Sequence, residues 1–183
     1  MESEEMKRIK SLTAAIFAAA VLTAEVPIFA GGKKDMVSLE ELHDEREIRE
    51  LVNIFANLAD VKDAKSQGDL FLPDGILEFQ RGFDGTIQNI IGRDALVTAF
   101  ANTINPCKAV YHINGQHTIK LNGDKATGTA YCMATLVKTV DGKDIVTVNS
   151  VRYTDQYVKV DGKWYIEKRR TTFILSESHE LVK

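Results

Sequence analysis

A chain of 183 residues, 44% hydrophobic and 27% charged, holds one ordinary domain with a tail to spare. A net charge of −3 gives no electrostatic footprint for a nucleic-acid partner. There is also no lysine–arginine block that would hold the chain on an anionic membrane.

In chain order, "MKRIK" is a short basic segment, "SLTAAIFAAAVLTA" an apolar run, and "EVPIFAGG" a stretch broken by small residues. These three parts in this order are the grammar of a secretory signal peptide. The apolar run, at roughly 14 residues, is too short for a permanent bilayer span, so no stable membrane anchor is expected. Cleavage after Ala24 or Ala30 would leave a secreted or periplasmic protein. The alternative is an amphipathic N-terminal helix on a cytosolic protein. Residues 1–30 are thus assigned to the signal and 31–43 to a flexible linker. The domain proper is placed at 44–176, with a C-terminal tail at 177–183.

"DEREIRELVNIFANLADVKDA" repeats at helical spacing, with Ile48, Leu51, Val52, Phe55, Leu58 and Ala59 on one stripe and acids in the first turn. "KSQGDLFLPDG" reads as a short second helix stopped near Pro73 and Gly75. "ILEFQ" reads as a strand, and "GRDALVTAFANTI" as a third helix ended by Asn105 and Pro106. From Lys108 onward the period switches to two, and four long strands follow. They are joined by "NGD", "VDGK" and "VDGK", the Asn-Gly and Asp-Gly chemistry of antiparallel hairpins. The expected architecture is α+β: a curved antiparallel sheet with about three N-terminal helices forming a cone with an internal pocket.

Export would permit a disulfide between Cys107 and Cys132, but the local reading opposes it. In a hairpin around Asn122 and Gly123, Cys132 faces residue 113 or 114, roughly 20 Å along the strand from Cys107. A disulfide needs Cα atoms within about 7 Å. Two free thiols are expected, with Cys132 buried. No recognised metal-ligand spacing is present, so no metal and no organic cofactor are expected.

Several local words, in this order, carry a family resemblance: "IRELVNIFANLADVKDAKSQGDLFLPDGILEF", "IIGRDAL", "YHINGQHTIKLNGDKATGTAY" and "YTDQYVKVDGKWYIEKR". Over nearly all of residues 44 to 175 the chain resembles the SnoaL-like branch of the nuclear transport factor 2-like superfamily. The nearest words are those of scytalone dehydratase, bile acid dehydratase and a hexachlorocyclohexane dehydrochlorinase. The resemblance implies a cone-shaped pocket and an aspartate–histidine pair acting as general base or acid, matched here by Asp60 in "LADVKDA" and His112 in "VYHIN". A carboxylate that orients an imidazole fixes its tautomer and raises its basicity. Such a ring can remove a proton from carbon beside an electron-withdrawing group. Loss of water then makes a dehydratase, and return of the proton elsewhere an isomerase.

The residues alone leave the pair open. Asp60 lies roughly 140° from the centre of the apolar stripe, at about 100° per residue, where a solvated acid belongs, and Asp63 falls closer to it. His112 shares its strand face with Asn114 and Gln116, a pattern that a solvated face would also produce. His117, five residues on, points to the opposite face of a regular strand and reads as solvent-facing. His43 and His179 fall in the expected flexible ends. The pocket-lining candidates are Phe55, Asn114, Gln116, Tyr131, Cys132, Tyr153 and Gln156, and each aromatic or thiol among them could equally be plain core. Tyr131, Tyr153, Tyr157 and Cys132 are the candidates for a supporting acid. Phe55 and Gln156 stand where the dehydrochlorinase carries a lysine and an arginine that would suit a departing chloride, which argues against dehalogenation. The second histidine of scytalone dehydratase has no counterpart in "GTAYCMATL", and a late arginine of the bile acid enzyme is replaced near Phe173. Asp155 and Arg169 are expected to face one another across neighbouring strands and fix the register. Ala130, Cys132 and Ala134 would leave room for a ligand if their face lies beside His112.

The reading is an exported, cofactor-independent lyase (dehydratase) or isomerase acting on a small, largely apolar substrate. The alternative is a non-catalytic binding or assembly module with the same pocket. A homodimer or homotrimer is expected under either.

Overall fold

The computed structural model describes residues 37–182, so the signal segment and both cleavage positions lie outside the described residues. Helix α1 spans Leu39–Asp60 and α2 spans Ala64–Asp69. Strands β1 (Phe71–Arg81) and β2 (Gln88–Ile91) precede α3 (Arg93–Ile104). Four long strands follow: β3 (Ala109–Asn122), β4 (Lys125–Val140), β5 (Lys143–Val160) and β6 (Lys163–Glu180). Among the described residues no helix is long and apolar enough to cross a membrane.

Helix α1 starts inside the expected linker because Ser38 and Glu41 form a reciprocal capping box there. The Ser38 hydroxyl accepts from the Glu41 amide at 3.1 Å, and the Ser38 amide donates to the Glu41 carboxylate at 2.7 Å. His43 is therefore helical, and His179 lies within β6, so neither sits in a loose end. The α1 stripe buries Ile48, Leu51, Val52, Phe55 and Ala59. A positive φ at Lys62 turns the chain, and Asp63 caps α2 by accepting from the Ser66 amide at 3.0 Å. Asp63 is thus a capping residue.

Helix α2 ends earlier than the sequence suggests, and Pro73 and Gly75 lie inside β1. The ladder tolerates them because the register slips between Phe71 and Ile76, which lifts the proline out of regular pairing.

The strand order is β2-β1-β6-β5-β4-β3, in one sheet. The three expected hairpins form. Positive φ angles at Asp141, Gly142, Asp161 and Gly162 fit the tight turns that the Asp-Gly pairs select. The sheet is nevertheless mixed, because β1 pairs β6 in parallel. An all-antiparallel expectation fails at this joint: turn chemistry orients only strands adjacent in sequence, and β1 and β6 are separated by a helix and four other strands.

On one face, α1, α3 and the strands bury a common core around Phe55, Phe71 and Phe100, whose rings meet at 5.4 to 6.3 Å. Asp155 and Arg169 are register partners and form a buried bidentate ion pair at 3.0 and 2.7 Å. Arg169 also stacks between Phe55 and Tyr153, at 4.6 and 4.2 Å from their ring centres. Burial alone would lower the pKa of this guanidinium; the Asp155 carboxylate outweighs it and holds the arginine above its ordinary value.

Candidate active site

The strand pairing lays out the inner face of the sheet as rows. His112 pairs with Ala134, and Ala134 with Asn149. Asn114 pairs with Cys132, and Cys132 with Val151. Between Asn114 and His117 the β3 ladder gains one residue, a bulge at Gly115 and Gln116. His117 consequently pairs with Ala130 and faces inward with His112 rather than outward. The expected alternation breaks here because one extra residue reverses a period of two. The same bulge leaves Gln116 exposed.

The small side chains of β4 leave space on this face. Ala130, Cys132 and Ala134 are all buried, and His112 sits opposite Ala134. A cavity of about 150 Å³ opens there. Its helical wall is Phe55, Ala59, Gln67, Phe100, Thr103 and Ile104, and its sheet wall includes Leu77, Phe79, Val151, Tyr153, Thr171 and Phe173. His112 and Asn149 supply polar groups at its edge. The lining is otherwise largely apolar, and a volume of this order suits a single small ring.

Asp60 is the last residue of α1, which brings its carboxylate over β3. One oxygen lies 2.7 Å from His112 Nδ1, and the other accepts from the His112 backbone amide at 3.3 Å. The His112 side chain is 9% exposed and that of Asp60 26%. A carboxylate only accepts, so Nδ1 carries the proton and Nε2 keeps its lone pair. An imidazole held this way is competent as a general base. Asp60 keeps the helical period, on one flank of α1 with Arg49 and Asn53. That flank crosses β3, where Arg49 donates to the His117 carbonyl and Asn53 accepts from Asn114, so it meets the sheet rather than solvent.

His117 lies in a different setting. Its Nε2 is 3.3 Å from the Tyr157 hydroxyl, which donates to Asp155 at 2.6 Å. Burial lowers its pKa from 6.5 to about 4, with Arg49 and Arg169 adding to the effect against the pull of Asp155.

The remaining candidates divide. Phe55 and Tyr153 line the cavity with His112. Asn114 faces inward but clamps α1, donating at 3.3 Å to the Val52 carbonyl and the Asn53 side chain. Cys132 and Cys107 are buried free thiols; burial pushes the Cys132 thiol up to about 11, despite a hydrogen bond with Tyr153. Tyr131 and Gln156 are exposed on the outer face, away from the cavity. Tyr131 lies between Ala130 and Cys132, which both face inward, so alternation turns it out.

Gln67, Asn149, Thr171 and the aromatic trio Phe79, Phe100 and Phe173 line the cavity without having been singled out as ligand contacts. Hydrophobic period marks Phe100 as core, but nothing in the local sequence of Gln67 announces a cavity wall. Among the described residues, His43, Asp44 and Glu47 bring ligand atoms within 4.8 Å of one another. Of these, Asp44 is held by Lys159 and Trp164, at 2.7 and 2.9 Å.

The SnoaL-like domain model matches residues 40–170. An uncharacterized protein of Mycobacterium tuberculosis, Rv2910c, is 22% identical over 140 residues, covering 76% of this chain and 91% of its own. A candidate scytalone dehydratase from Novosphingobium aromaticivorans superposes with a TM-score of 0.64 at 20% identity, covering 77% of this chain and 91% of its own. A hexachlorocyclohexane dehydrochlorinase, LinA type 2, gives 0.63 at 16%, with 79% and 93% covered. At these identities the structural matches speak for the fold. With the domain model spanning most of the described residues, the chain belongs to the SnoaL-like family, within the nuclear transport factor 2-like superfamily.

Proposed function

We propose that the protein is an exported, cofactor-independent lyase of the dehydratase type, or an isomerase, acting on a small and largely apolar molecule. The observation that carries this reading is the 2.7 Å Asp60–His112 bond at the edge of an apolar cavity. His112 Nε2 takes a proton from a carbon beside an electron-withdrawing group, and the C–H electron pair enters the new double bond. In a dehydration, the hydroxyl on the neighbouring carbon leaves with the proton returned by the imidazolium, as water. In an isomerisation the same proton is returned to a different carbon. Asp60 keeps the ring in the required tautomer and stabilises its protonated form.

The test is a screen of small hydroxylated ring compounds in deuterated buffer, read for water loss and for deuterium at carbon. Wild type should convert or exchange at least one of them, and His112→Ala should not. Equal conversion by both would remove His112 from the chemistry.

The outer face of the sheet favours self-association alongside this activity. Tyr111, Ile113, Tyr131 and Met133 are 58%, 53%, 44% and 49% exposed on adjacent strands β3 and β4. A contiguous apolar face of this kind is covered in many soluble proteins. A homodimer or homotrimer through it is part of the proposal, checked by light scattering of wild type against Met133→Lys.

A further inference from the structure

The apolar cavity does not end at its aromatic wall. A second pocket of about 400 Å³ adjoins it at Phe79 and Phe173, and both residues line the two spaces. The far side of this outer pocket is polar: Arg81, Thr86 and Gln88 line it.

The order of side chains along β1 explains the arrangement. Leu77, Phe79 and Arg81 share one face by strand alternation. Leu77 and Phe79 wall the inner cavity, and Arg81, two residues further out, walls only the outer pocket. Parallel pairing sets Arg81 beside Phe173, and the guanidinium lies 5.5 Å from that ring centre. Among the described residues no carboxylate pairs with Arg81. Glu78, three residues back on the same strand, is taken by Lys168 and Arg170.

The outer wall is held in place. Gln80 is 8% exposed, and its amide nitrogen donates to the carbonyls of Phe83 and Gly85 at 2.8 and 3.1 Å. The Gly82 amide donates to the Phe173 carbonyl at 2.9 Å. These bonds tie the segment after β1 to the strand that carries Phe173.

We propose that the two pockets are one binding site for an amphiphilic acid. Its apolar ring occupies the inner cavity by His112, and its anionic group, a carboxylate or an equivalent oxyanion, meets Arg81 in the outer pocket. Arginine presents a planar set of donors that matches a carboxylate in bidentate fashion. His112 and Arg81 stand four strand spacings apart across the sheet. That is about 19 Å along a flat sheet, less the reach of the two side chains. The ligand left to fill the gap has the length of a ring with a short acid-bearing chain. Phe79 and Phe173 separate the compartments, so they set the chain length between ring and anion. This inference rests on the proton-transfer reading only in taking the inner compartment as the reacting end.

The experiment is calorimetric titration of the protein with 4-phenylbutyrate and with the matched alcohol 4-phenyl-1-butanol. Wild type, Arg81→Gln and His112→Ala are each titrated at low and high salt. Arg81 is exposed, so Arg81→Gln leaves the core untouched. Wild type should bind the acid more tightly than the alcohol by about tenfold or more, as expected for a charge-assisted hydrogen bond. Arg81→Gln should remove that preference and leave the alcohol unchanged, while His112→Ala should retain it. Salt should weaken the acid alone. Equal binding of acid and alcohol to wild type, a preference that survives Arg81→Gln, or no binding of either probe would overturn the proposal. Deuterium exchange by wild type but not by His112→Ala would leave the proton-transfer reading standing in each of those cases. Acid preference without such exchange would instead remove the proton-transfer reading and leave this one intact.

Discussion

His112 and His117 occupy the same strand and, because of the β3 bulge, the same inner face, yet their surroundings differ in every respect that matters for chemistry. His112 has a carboxylate on one nitrogen and a cavity beside it. His117 has a tyrosine hydroxyl already committed to Asp155. A Cβ added at Gly128 would come within 3.0 Å of both His117 Nε2 and Tyr157, which leaves no space for a ligand. The hydrogen bonds also select opposite tautomers. Asp60 can only accept, so His112 carries its proton on Nδ1. Tyr157 donates to Asp155, so its oxygen is left to accept from His117 Nε2–H. A histidine in a site and a histidine in a core are thus told apart by partner and free volume, while burial alone would not separate them.

The largest expected effect contrasts the two rings directly. Once a substrate is in hand, His112→Ala should lower turnover by about 10²–10⁴-fold, the usual weight of a general base. His117→Gln should leave turnover within a few-fold, and a comparable loss there would erase the distinction.

Next is the network beneath His117. Arg169→Met strands the Asp155 carboxylate in a site that is 1% exposed. Loss of one partner from such a pair should destabilise the fold by about 3–5 kcal/mol, read by urea unfolding. Gly128→Ala should cost less, about 1–3 kcal/mol, because the new methyl meets His117, Tyr157 and the Thr118 carbonyl at 3.0 to 3.2 Å. Ala134→Ser, in the open row beside His112, should be milder than Gly128→Ala.

The last effect is read in the pH dependence. His117 takes its proton near 6.5 when unfolded but only at about 4 when folded. Between these values the unfolded chain binds the extra proton, so His117 contributes stability above pH 6.5 that is lost as the pH falls toward 4. Melting temperature should decline over that window, and His117→Gln should flatten the decline.

Much of this architecture is legible in the residues, and the exceptions have definite physical causes. The hairpins follow from Asn122-Gly123, Asp141-Gly142 and Asp161-Gly162, whose backbone preferences act locally. The nearness of Asp155 and Arg169 follows from the hairpin between their strands. Their direct pairing also needs the register shift between Gln156 and Tyr157, since the turn alone would set Asp155 opposite Lys168. The parallel β1–β6 pairing is not legible, since no local turn links the two strands. The inward turn of His117 had a signal, a glycine inside a strand at Gly115, which often marks a bulge. Asp60 reads as solvated because its flank of α1, shared with Arg49 and Asn53, meets β3 only through long-range packing that the apolar stripe does not report. Tyr131 and Gln156 come out on the solvent side, as alternation with Ala130, Cys132 and Asp155 dictates. Gln67 and Thr171 reach the cavity only through long-range packing, which no local pattern encodes.

The central claim is that Asp60 holds His112 with a free lone pair on Nε2. Long-range nitrogen–proton NMR of the imidazoles, at a pH where both rings are neutral, tests it without any substrate. The expected result is an Nδ1–H tautomer for His112 that shifts to Nε2–H in Asp60→Asn, beside an Nε2–H tautomer for His117 in both proteins. An Nε2–H tautomer for His112 in the wild type, or one unmoved by Asp60→Asn, would contradict it.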